Sequence, residues 1–472
     1  MTLRSMAVAV AAALAATGVW AQGSKTEVSY PSFKAGADLR VRQEYFEHIP
    51  YRPGGYARVV GSENPSGENN YLRVRPRVWA QADLSREARI YGRLTNEFRK
   101  FWEPDYEGRQ AGYTYPDELV VDNLYLDLKG LFNDTLDVRA GRQDLIYGNG
   151  RVLLDGTPLD GSRTIYFDAL KLTYRGIPDN TVDLLLISNS PENNLALHKP
   201  KNDRYLSGYD PTELEEMEEK AAGIYWKSNS YKELPFEAYY LYKEESEWED
   251  NSQYPFAGRY RAGNWVYPEL DLNTVGVRLM PKFSDSLSAN VELAYQWGER
   301  GSADVEGGMV DAVLRWSPPV LESMKPRLGV GWYYLSGDKQ GSSNKDEGWN
   351  PVFARWPQYS ELYVFAFDRD GAGRWSNMSM PHVDLELSPA PWYKAELMAG
   401  YMKAPVDDGA GGGHNRGLLF TWWNKFKLGE KLLTGSDRLT GHLLLEWLNP
   451  GNYYDDLPHN AVFARWELMY AF

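Results

Sequence analysis

Ala461-Val-Phe-Ala-Arg-Trp-Glu-Leu-Met-Tyr-Ala-Phe472 closes the sequence and decides the prediction of the fold. Counting back from Phe472, every second residue is apolar or aromatic, whereas the alternate positions include Arg465 and Glu467. Because successive side chains of a strand point to opposite faces, the segment is predicted to be a strand with one apolar and one mixed face. Such a strand suits an outer-membrane barrel, whose apolar face meets lipid, or the last strand of a soluble β-sandwich or propeller. We favour the barrel because a soluble protein seldom has an aromatic last residue on such a strand.

The composition excludes several classes of protein. The 472 residues include no cysteine, so disulfide frameworks, thiol nucleophiles and cysteine metal sites are excluded together. The formal net charge of -14 argues against nucleic acid as a partner. Aromatic residues make up 14% of the chain, which suits the interfacial girdles of a membrane barrel and also a carbohydrate-binding surface. After the first 21 residues no apolar run reaches the roughly 18 residues of a membrane helix, so a membrane crossing would have to use strands.

Residues 1–21 are predicted to be an export signal peptide. Arg4 supplies a short positive region, residues 6–19 are small and apolar, and Val19-Trp20-Ala21 suits cleavage before Gln22. The remaining chain, residues 22–472, is then expected to form one domain that is secreted or inserted in an outer membrane.

Alternation recurs along the chain and predicts an all-β fold, a transmembrane antiparallel barrel of about 18 strands. Short turns, such as residues 281–286 and 388–391, alternate with long polar loops, such as residues 190–220 and 336–380. Outer-membrane barrels have short periplasmic turns and long extracellular loops. Ser360–Phe367 also alternates, but a further strand would make the number odd. We therefore expect this segment to lie in an ordered loop folded over the mouth of the barrel.

Two residues are predicted to interrupt the regular strands. Pro76 cannot donate a ladder hydrogen bond, which indicates a bulge or a locally open pairing. Gly141, inside a predicted strand, suggests a bulge that would reset the register and turn Arg142 and Asp144 inward after Arg139.

Arginines are concentrated on the face that is predicted to point into the lumen. Guanidinium groups bind carboxylates in a bidentate manner, and a ring of them favours passage of an anionic solute. Alternatively, the arginines could knit the wall by pairing with interleaved Asp and Glu residues. We place anion selectivity first, because the basic residues crowd the first three strands while the acidic ones are dispersed. The candidate pore-lining residues from this pattern are Arg40, Arg42, Arg73, Arg75, Arg77, Arg89, Arg93, Arg139, Arg315 and Arg465.

The segment from Gly141 to Arg151, Gly-Arg-Gln-Asp-Leu-Ile-Tyr-Gly-Asn-Gly-Arg, resembles the alginate-export family of outer-membrane porins. Arg163 and Phe167-Asp168-Ala169 extend the resemblance, and the signal peptide, the alternating strands and the aromatic terminus fit the same family. The resemblance implies a monomeric 18-stranded barrel whose arginine-lined constriction passes a polyuronate outward. It adds five candidates to the pore-lining set: Arg142, Asp144, Arg151, Arg163 and Asp168.

Enzymatic motifs are missing from the sequence. The six histidines have no metal-ligand spacing, and neither a Gly-x-Ser-x-Gly elbow nor a phosphate-binding loop occurs. His382 and His442 fall on lumen-facing registers and are interpreted as wall residues. We therefore expect no catalysis, no metal and no cofactor.

Three hypotheses for the function follow. The first is a channel that exports an anionic, alginate-like polysaccharide, and the second is a porin that takes up small carboxylated sugars or organic acids. The third is a secreted all-β carbohydrate-active enzyme or lectin. The first two predict the anionic carbohydrate and outer-membrane lipid as partners, with periplasmic export proteins as further partners of an exporter.

Overall fold

Eighteen antiparallel strands form one closed barrel in a computed structural model of the chain. The structure describes residues 29–50, 68–103, 114–154, 166–191, 195–198, 217–250, 265–339, 344–354, 359–362 and 375–472. Each strand pairs with the next along the chain, and β1 pairs with β18, so the sheet has no free edge. The predicted barrel and its number of strands are confirmed. The predicted signal peptide, residues 1–21, lies outside the described residues. The strands are β1 Ser32–Glu47, β2 Asn69–Asp83, β3 Ala88–Glu103, β4 Thr114–Gly130, β5 Leu136–Gln143, β6 Phe167–Tyr174, β7 Asn180–Asn189, β8 Glu219–Ser228, β9 Phe236–Glu245, β10 Leu270–Leu279, β11 Leu287–Arg300, β12 Ala303–Trp316, β13 Arg327–Leu335, β14 Met378–Ala390, β15 Tyr393–Lys403, β16 Asn415–Glu430, β17 Arg438–Pro450 and β18 Ala461–Ala471.

The outer surface of the barrel carries the apolar faces that alternation predicts. Along β18, Trp466 and Leu468 are 37% and 43% exposed, whereas Arg465 is 2% exposed. Val330 and Trp332 of β13 are likewise exposed, at 64% and 43%. Because a soluble core would bury such side chains, this surface is suited to lipid. No helix in the described part of the chain is long and apolar enough to cross a membrane, and one helical turn, Leu131–Asp134, joins β4 to β5.

Asp437 holds the short turn between β16 and β17. Its carboxylate accepts hydrogen bonds from the backbone N–H groups of Leu432, Leu433 and Thr434 and from the hydroxyl of Tyr470 in β18. Burial alone would raise the pKa of Asp437, but these hydrogen bonds outweigh burial and hold that pKa well below its usual range. The turn is thereby tied to the last strand.

The ladder between β2 and β3 is open at the predicted position. Its pairing runs to Val74↔Phe98 and resumes at Arg77↔Thr95 in the same register, so it skips Arg75 and Pro76. The prediction of locally open pairing is therefore confirmed, and its cause is the missing N–H of proline.

The bulge predicted at Gly141 is wrong. Gly141 pairs in unbroken register with Tyr125 of β4 and Ala169 of β6. Its φ of 123° lies in a region that glycine tolerates, and a Cβ there would come within 2.3 Å of the carbonyl oxygen of Leu124. The strand therefore continues without an extra residue, and the register is not reset.

Two long loops fold into the barrel and form a plug, defined here as residues 145–154, 349–354 and 359–362. Leu153–Leu154, after β5, pairs in parallel with Phe353–Ala354, after β13. Leu145, Tyr147, Trp349 and Phe353 are all at most 3% exposed. The apolar residues of the plug therefore form one buried cluster with apolar residues of the barrel wall, such as Phe167 and Leu272.

Polar side chains of the barrel wall hold the plug in place. Lys243 of β9 donates to the carbonyl oxygen of Val352 at 2.8 Å, and Gln296 of β11 exchanges two hydrogen bonds with Asn350 at 2.7 and 2.9 Å. On the other side, Glu446 of β17 accepts from the hydroxyl of Ser360 and from two backbone N–H groups, and Arg465 pairs with Glu361 at 2.6 Å. The described part of Ser360–Phe367, residues 360–362, thus lies in an ordered loop as predicted, inside the barrel rather than across its mouth.

Closure between the first and last strands depends on Gly36. A Cβ at Gly36 would lie 2.6 Å from both the carbonyl oxygen of Phe472 and the ring of Trp79. We expect Gly36→Val to destabilise the barrel by roughly 1–3 kcal/mol, because the added side chain forces Trp79 and the β1–β18 seam apart. The temperature at which the folded band converts to the unfolded band on a gel measures this effect. Ala35→Val, at an exposed position on the outer face, is the control and should not change that temperature.

Candidate functional site

Five arginines of β1 and β2 form a buried ionic network with neighbouring carboxylates. Arg42 lies 2.8 Å from Glu44, and Arg73 lies 3.0 Å from Glu44 and 3.1 Å from Glu97. Arg77 binds Asp38 at 2.9 Å. Arg465 of β18 joins these five, and we call the whole set the arginine network: Arg40, Arg42, Arg73, Arg75, Arg77 and Arg465, with Asp38, Glu44, Glu97 and Glu467.

Burial distinguishes the network from a ring of arginines around open water. Arg42 is 0% exposed, Arg75 1% and Glu97 1%. Charges withdrawn from water to this degree are stable only when they are paired and hydrogen-bonded. The geometry therefore matches the alternative in which arginines knit the wall.

Every predicted arginine that the structure describes has a carboxylate oxygen within 4.0 Å. Outside the network the pairs are Arg89–Asp83, Arg93–Asp122, Arg93–Asp144, Arg139–Asp127, Arg142–Asp168, Arg151–Asp311 and Arg315–Asp384. Strand register accounts for Arg89–Asp83, Arg139–Asp127 and Arg142–Asp168, whose members lie opposite each other on adjacent strands.

The candidate residues that the family resemblance added lie in separate places and have different partners. Arg142 comes three residues after the inward-facing Arg139, so regular alternation places it on the outer face of β5. It is paired with Leu124 of β4, which is 46% exposed on the outer surface. Arg142 pairs with Asp168 at 2.9 Å and lies over the ring of Tyr166. Asp144 instead binds Arg93 at 3.0 Å. Arg163 lies outside the described residues.

Arg151 is the member of that segment that reaches a cavity. A cavity of about 300 Å³ lies between the plug and strands β11 to β16, and Arg151, Asp311, Arg315, Tyr359 and Trp423 are among the residues that line it. We call it the outer cavity. Arg151 donates to Asp311 at 2.8 Å, and the hydroxyl of Tyr359 donates to the same carboxylate at 2.7 Å.

A second cavity, of about 640 Å³, lies at the short-turn end of the same wall. We call it the inner cavity; Trp423 lines both cavities. Lys394 and Lys425 each lie 2.8 Å from the carboxylate of Glu396, and Lys425 also lies 4.0 Å from the centre of the Trp423 ring. The exposed lysines Lys325 and Lys427 line the inner cavity as well, together with Glu322, so lysines outnumber acidic residues around it.

The arrangement can bind solutes reversibly. Along one wall it alternates guanidinium or ammonium groups with carboxylates, and Tyr359 and Trp423 provide aromatic surfaces on which a sugar ring could stack. Within the described residues no group of three or more histidine or acidic side chains could hold a metal ion.

Sequence reasoning missed most of these cavity residues. Lys394, Lys425 and Trp423 follow the same alternation as the arginines and could have been assigned to the lumen from it. Tyr359, in contrast, lies in a loop, and no local pattern predicts that it contacts Asp311.

A family model described as alginate export matches residues 33–416 of this chain. A comparison with curated protein sequences finds no match.

Solved structures of outer-membrane porins are similar in fold to this chain. OccK5 (OpdH) of Pseudomonas aeruginosa has a TM-score of 0.53 and 13% identity, with 93% of this chain and 98% of that chain covered. OccK2 (OpdF) of P. aeruginosa, in complex with glucuronate, has a TM-score of 0.51 and 11% identity, with 93% and 97% covered. OpdK of P. aeruginosa, with vanillate, has a TM-score of 0.53 and 10% identity, with 93% and 98% covered. At these identities the likeness shows the fold.

Proposed function

The chain belongs to the alginate export family and is an outer-membrane channel, and from this premise we propose that it passes a carboxylated polysaccharide of the polyuronate type outward. The path runs along the inner and outer cavities beside the plug. The channel catalyses no reaction. The cationic side chains of the cavities bind each carboxylate of the polymer transiently and release it to the next cationic side chain.

The observation that carries this proposal is the row of cationic groups along the two cavities. Lys427 and Lys325 lie at the inner end, Lys394 and Lys425 lie beside Trp423, and Arg151 lies in the outer cavity. Each of these cationic groups either lies beside carboxylates of the protein or is exposed to water. A passing carboxylate therefore binds each of them with moderate affinity, and no single site holds it tightly. Conduction requires such weak, repeated sites.

The basic inner end supports the outward direction. A polyanion from the periplasm would first meet Lys325 and Lys427, which are exposed. Positive potential at the mouth of a path raises the local concentration of an anionic solute.

The plug supports a second candidate, uptake of small carboxylated sugars or organic acids. Cavities of about 300 and 640 Å³ are sized for single sugar rings. Two porins of similar fold were crystallised with glucuronate and with vanillate, which are small carboxylates.

Single-channel recording in planar bilayers tests the two candidates. Uronate oligomers are added to either side, and the residence time of each block is measured as the voltage rises. Passage of the polymer predicts residence times that shorten at higher driving voltage and more frequent blocks from the periplasmic side. Residence times that lengthen with voltage from both sides would contradict export, and a glucuronate current measured by reversal potential would then favour uptake.

A further inference from the structure

Three polar side chains in the outer cavity have hydrogen-bonding capacity that the protein does not use. Both ring nitrogens of His382, both carboxylate oxygens of Asp384 and Nε of Arg315 are buried and make no hydrogen bond. His382 is 4% exposed, and all three residues line the cavity. Buried polar groups left in this state cost free energy, so these atoms are candidates for partners from outside the chain.

The three groups are near one another but too far apart to satisfy one another. Nε of Arg315 is 3.7 Å from Oδ1 of Asp384, and Nδ1 of His382 is 3.8 Å from Oδ2 of the same carboxylate. Both distances exceed those of a hydrogen bond. In the arginine network, by contrast, Arg73 and Arg77 bind their carboxylates at about 3 Å.

Two glycines of β13 create the space for this arrangement. Gly329 pairs with both Arg315 and Asp384, and Gly331 pairs with His382. A Cβ on Gly329 would come within 2.1 Å of Oδ2 of Asp384, and one on Gly331 within 2.4 Å of Nε2 of His382. The two side chains therefore occupy the space over the glycines, in the wall of the cavity.

The plug supplies an aromatic surface at the same place. The ring of Tyr359 lies 5.0 Å from that of His382, centre to centre, and its hydroxyl is fixed by Asp311. An aromatic ring beside unsatisfied donors and acceptors suits a ligand that is polar at its edge and less polar on its face, as a sugar ring is.

We propose that Arg315, His382 and Asp384, over Gly329 and Gly331, form a subsite for the hydroxyl groups of one sugar residue of the passing carbohydrate. This inference rests on the proposed function and assigns residues that bind the sugar ring of its substrate. The two oxygens of Asp384 accept hydrogen bonds from neighbouring hydroxyls, Arg315 donates to a hydroxyl oxygen, and His382 binds another. The carboxylate of the sugar is directed away from Asp384, which would repel it, toward Arg151 or Lys394.

The subsite therefore selects carbohydrate over other carboxylates. An aromatic acid such as benzoate carries a carboxylate but no neighbouring hydroxyls, so it leaves the three groups unsatisfied. A site built to hydrogen-bond hydroxyls discriminates strongly against a ligand that lacks them.

The test compares block of the single-channel current by glucuronate, glucose and benzoate. We expect Asp384→Asn and His382→Ala to raise the half-blocking concentration of glucuronate and of glucose about tenfold, since each loses hydrogen bonds to the sugar. Block by benzoate should not change. Gly331→Ala, which pushes His382 from the glycine surface into the cavity, should weaken sugar block while retaining all three polar groups.

Asp271→Asn is the matched control, because Asp271 is an exposed carboxylate at the outer end of β10. Folding of every variant is checked by heat-modifiable gel mobility. Block by both sugars that is unchanged in Asp384→Asn, His382→Ala and Gly331→Ala would overturn the subsite alone. A wild-type channel that conducts ions and is blocked by neither glucuronate nor uronate oligomers would overturn the subsite together with the proposed function.

Discussion

Replacing Glu446 with alanine is expected to raise the single-channel conductance several-fold. The carboxylate of Glu446 accepts hydrogen bonds from the hydroxyl of Ser360 and from the backbone N–H groups of Glu361 and Leu362. Without it, buried donors of the plug lose their acceptor at a cost of about 1–3 kcal/mol each. The plug segment around residues 359–362 then leaves the wall, and the lumen widens.

Glu361→Gln provides an independent version of the same experiment. It weakens the contact of Glu361 with Arg465 and should raise the conductance less than Glu446→Ala does, because the three bonds to Glu446 remain. Asp127→Asn is the control, since Asp127 pairs with Arg139 within the barrel wall at 2.7 Å. An open-channel conductance of Glu446→Ala equal to that of the wild type would contradict the role of the plug.

Replacing Arg42 with methionine is expected to lower stability strongly and to leave ion selectivity unchanged. Arg42 is 0% exposed and lies 2.8 Å from Glu44 and 3.6 Å from Glu467. Removing one partner of a buried ionic cluster costs roughly 3–5 kcal/mol, because the remaining charges stay buried without compensation. The folded band should therefore convert at a lower temperature, while the reversal potential in a salt gradient stays at the wild-type value.

Arg151→Met is the counterpart of that variant in the outer cavity. It removes a cation beside Asp311 on the proposed path, so the reversal potential should shift toward cation selectivity. A shift of the reversal potential in Arg42→Met as large as that in Arg151→Met would mean that the arginine network lines the path after all.

The barrel could be predicted because each of its strands carries the alternating pattern within its own short stretch of sequence. Alternation with a period of two is imposed on each strand separately by lipid on one side and the lumen on the other. The terminal strand, with Trp466 and Leu468 outside and Arg465 inside, shows this directly. The position of residues 360–362 could not be predicted in the same way, because it depends on Glu446 and Arg465, which are about a hundred positions further along the chain.

The candidate site was predictable only in part. Alternation places Arg73 and Glu97 in the lumen, but only the register of β2 with β3 shows that they pair at 3.1 Å. Gly329 and Gly331 carry information that the alternating pattern does not. Two glycines two residues apart lie on one face of a strand, so they leave room for side chains of the next strand. That signal would have singled out His382, which the sequence pattern otherwise suggests is a wall residue.

Because the chain contains no cysteine, a single introduced thiol can report which part of the lumen the solute passes. Thr421→Cys introduces one thiol in the outer cavity, and Thr95→Cys introduces one on β3 beside the arginine network. Single channels are recorded while a negatively charged thiol reagent is added. The reagent is expected to reduce the current through Thr421→Cys, and uronate oligomers should slow this reaction, whereas the current through Thr95→Cys should not change. Current loss in Thr95→Cys with none in Thr421→Cys would contradict a path beside the plug.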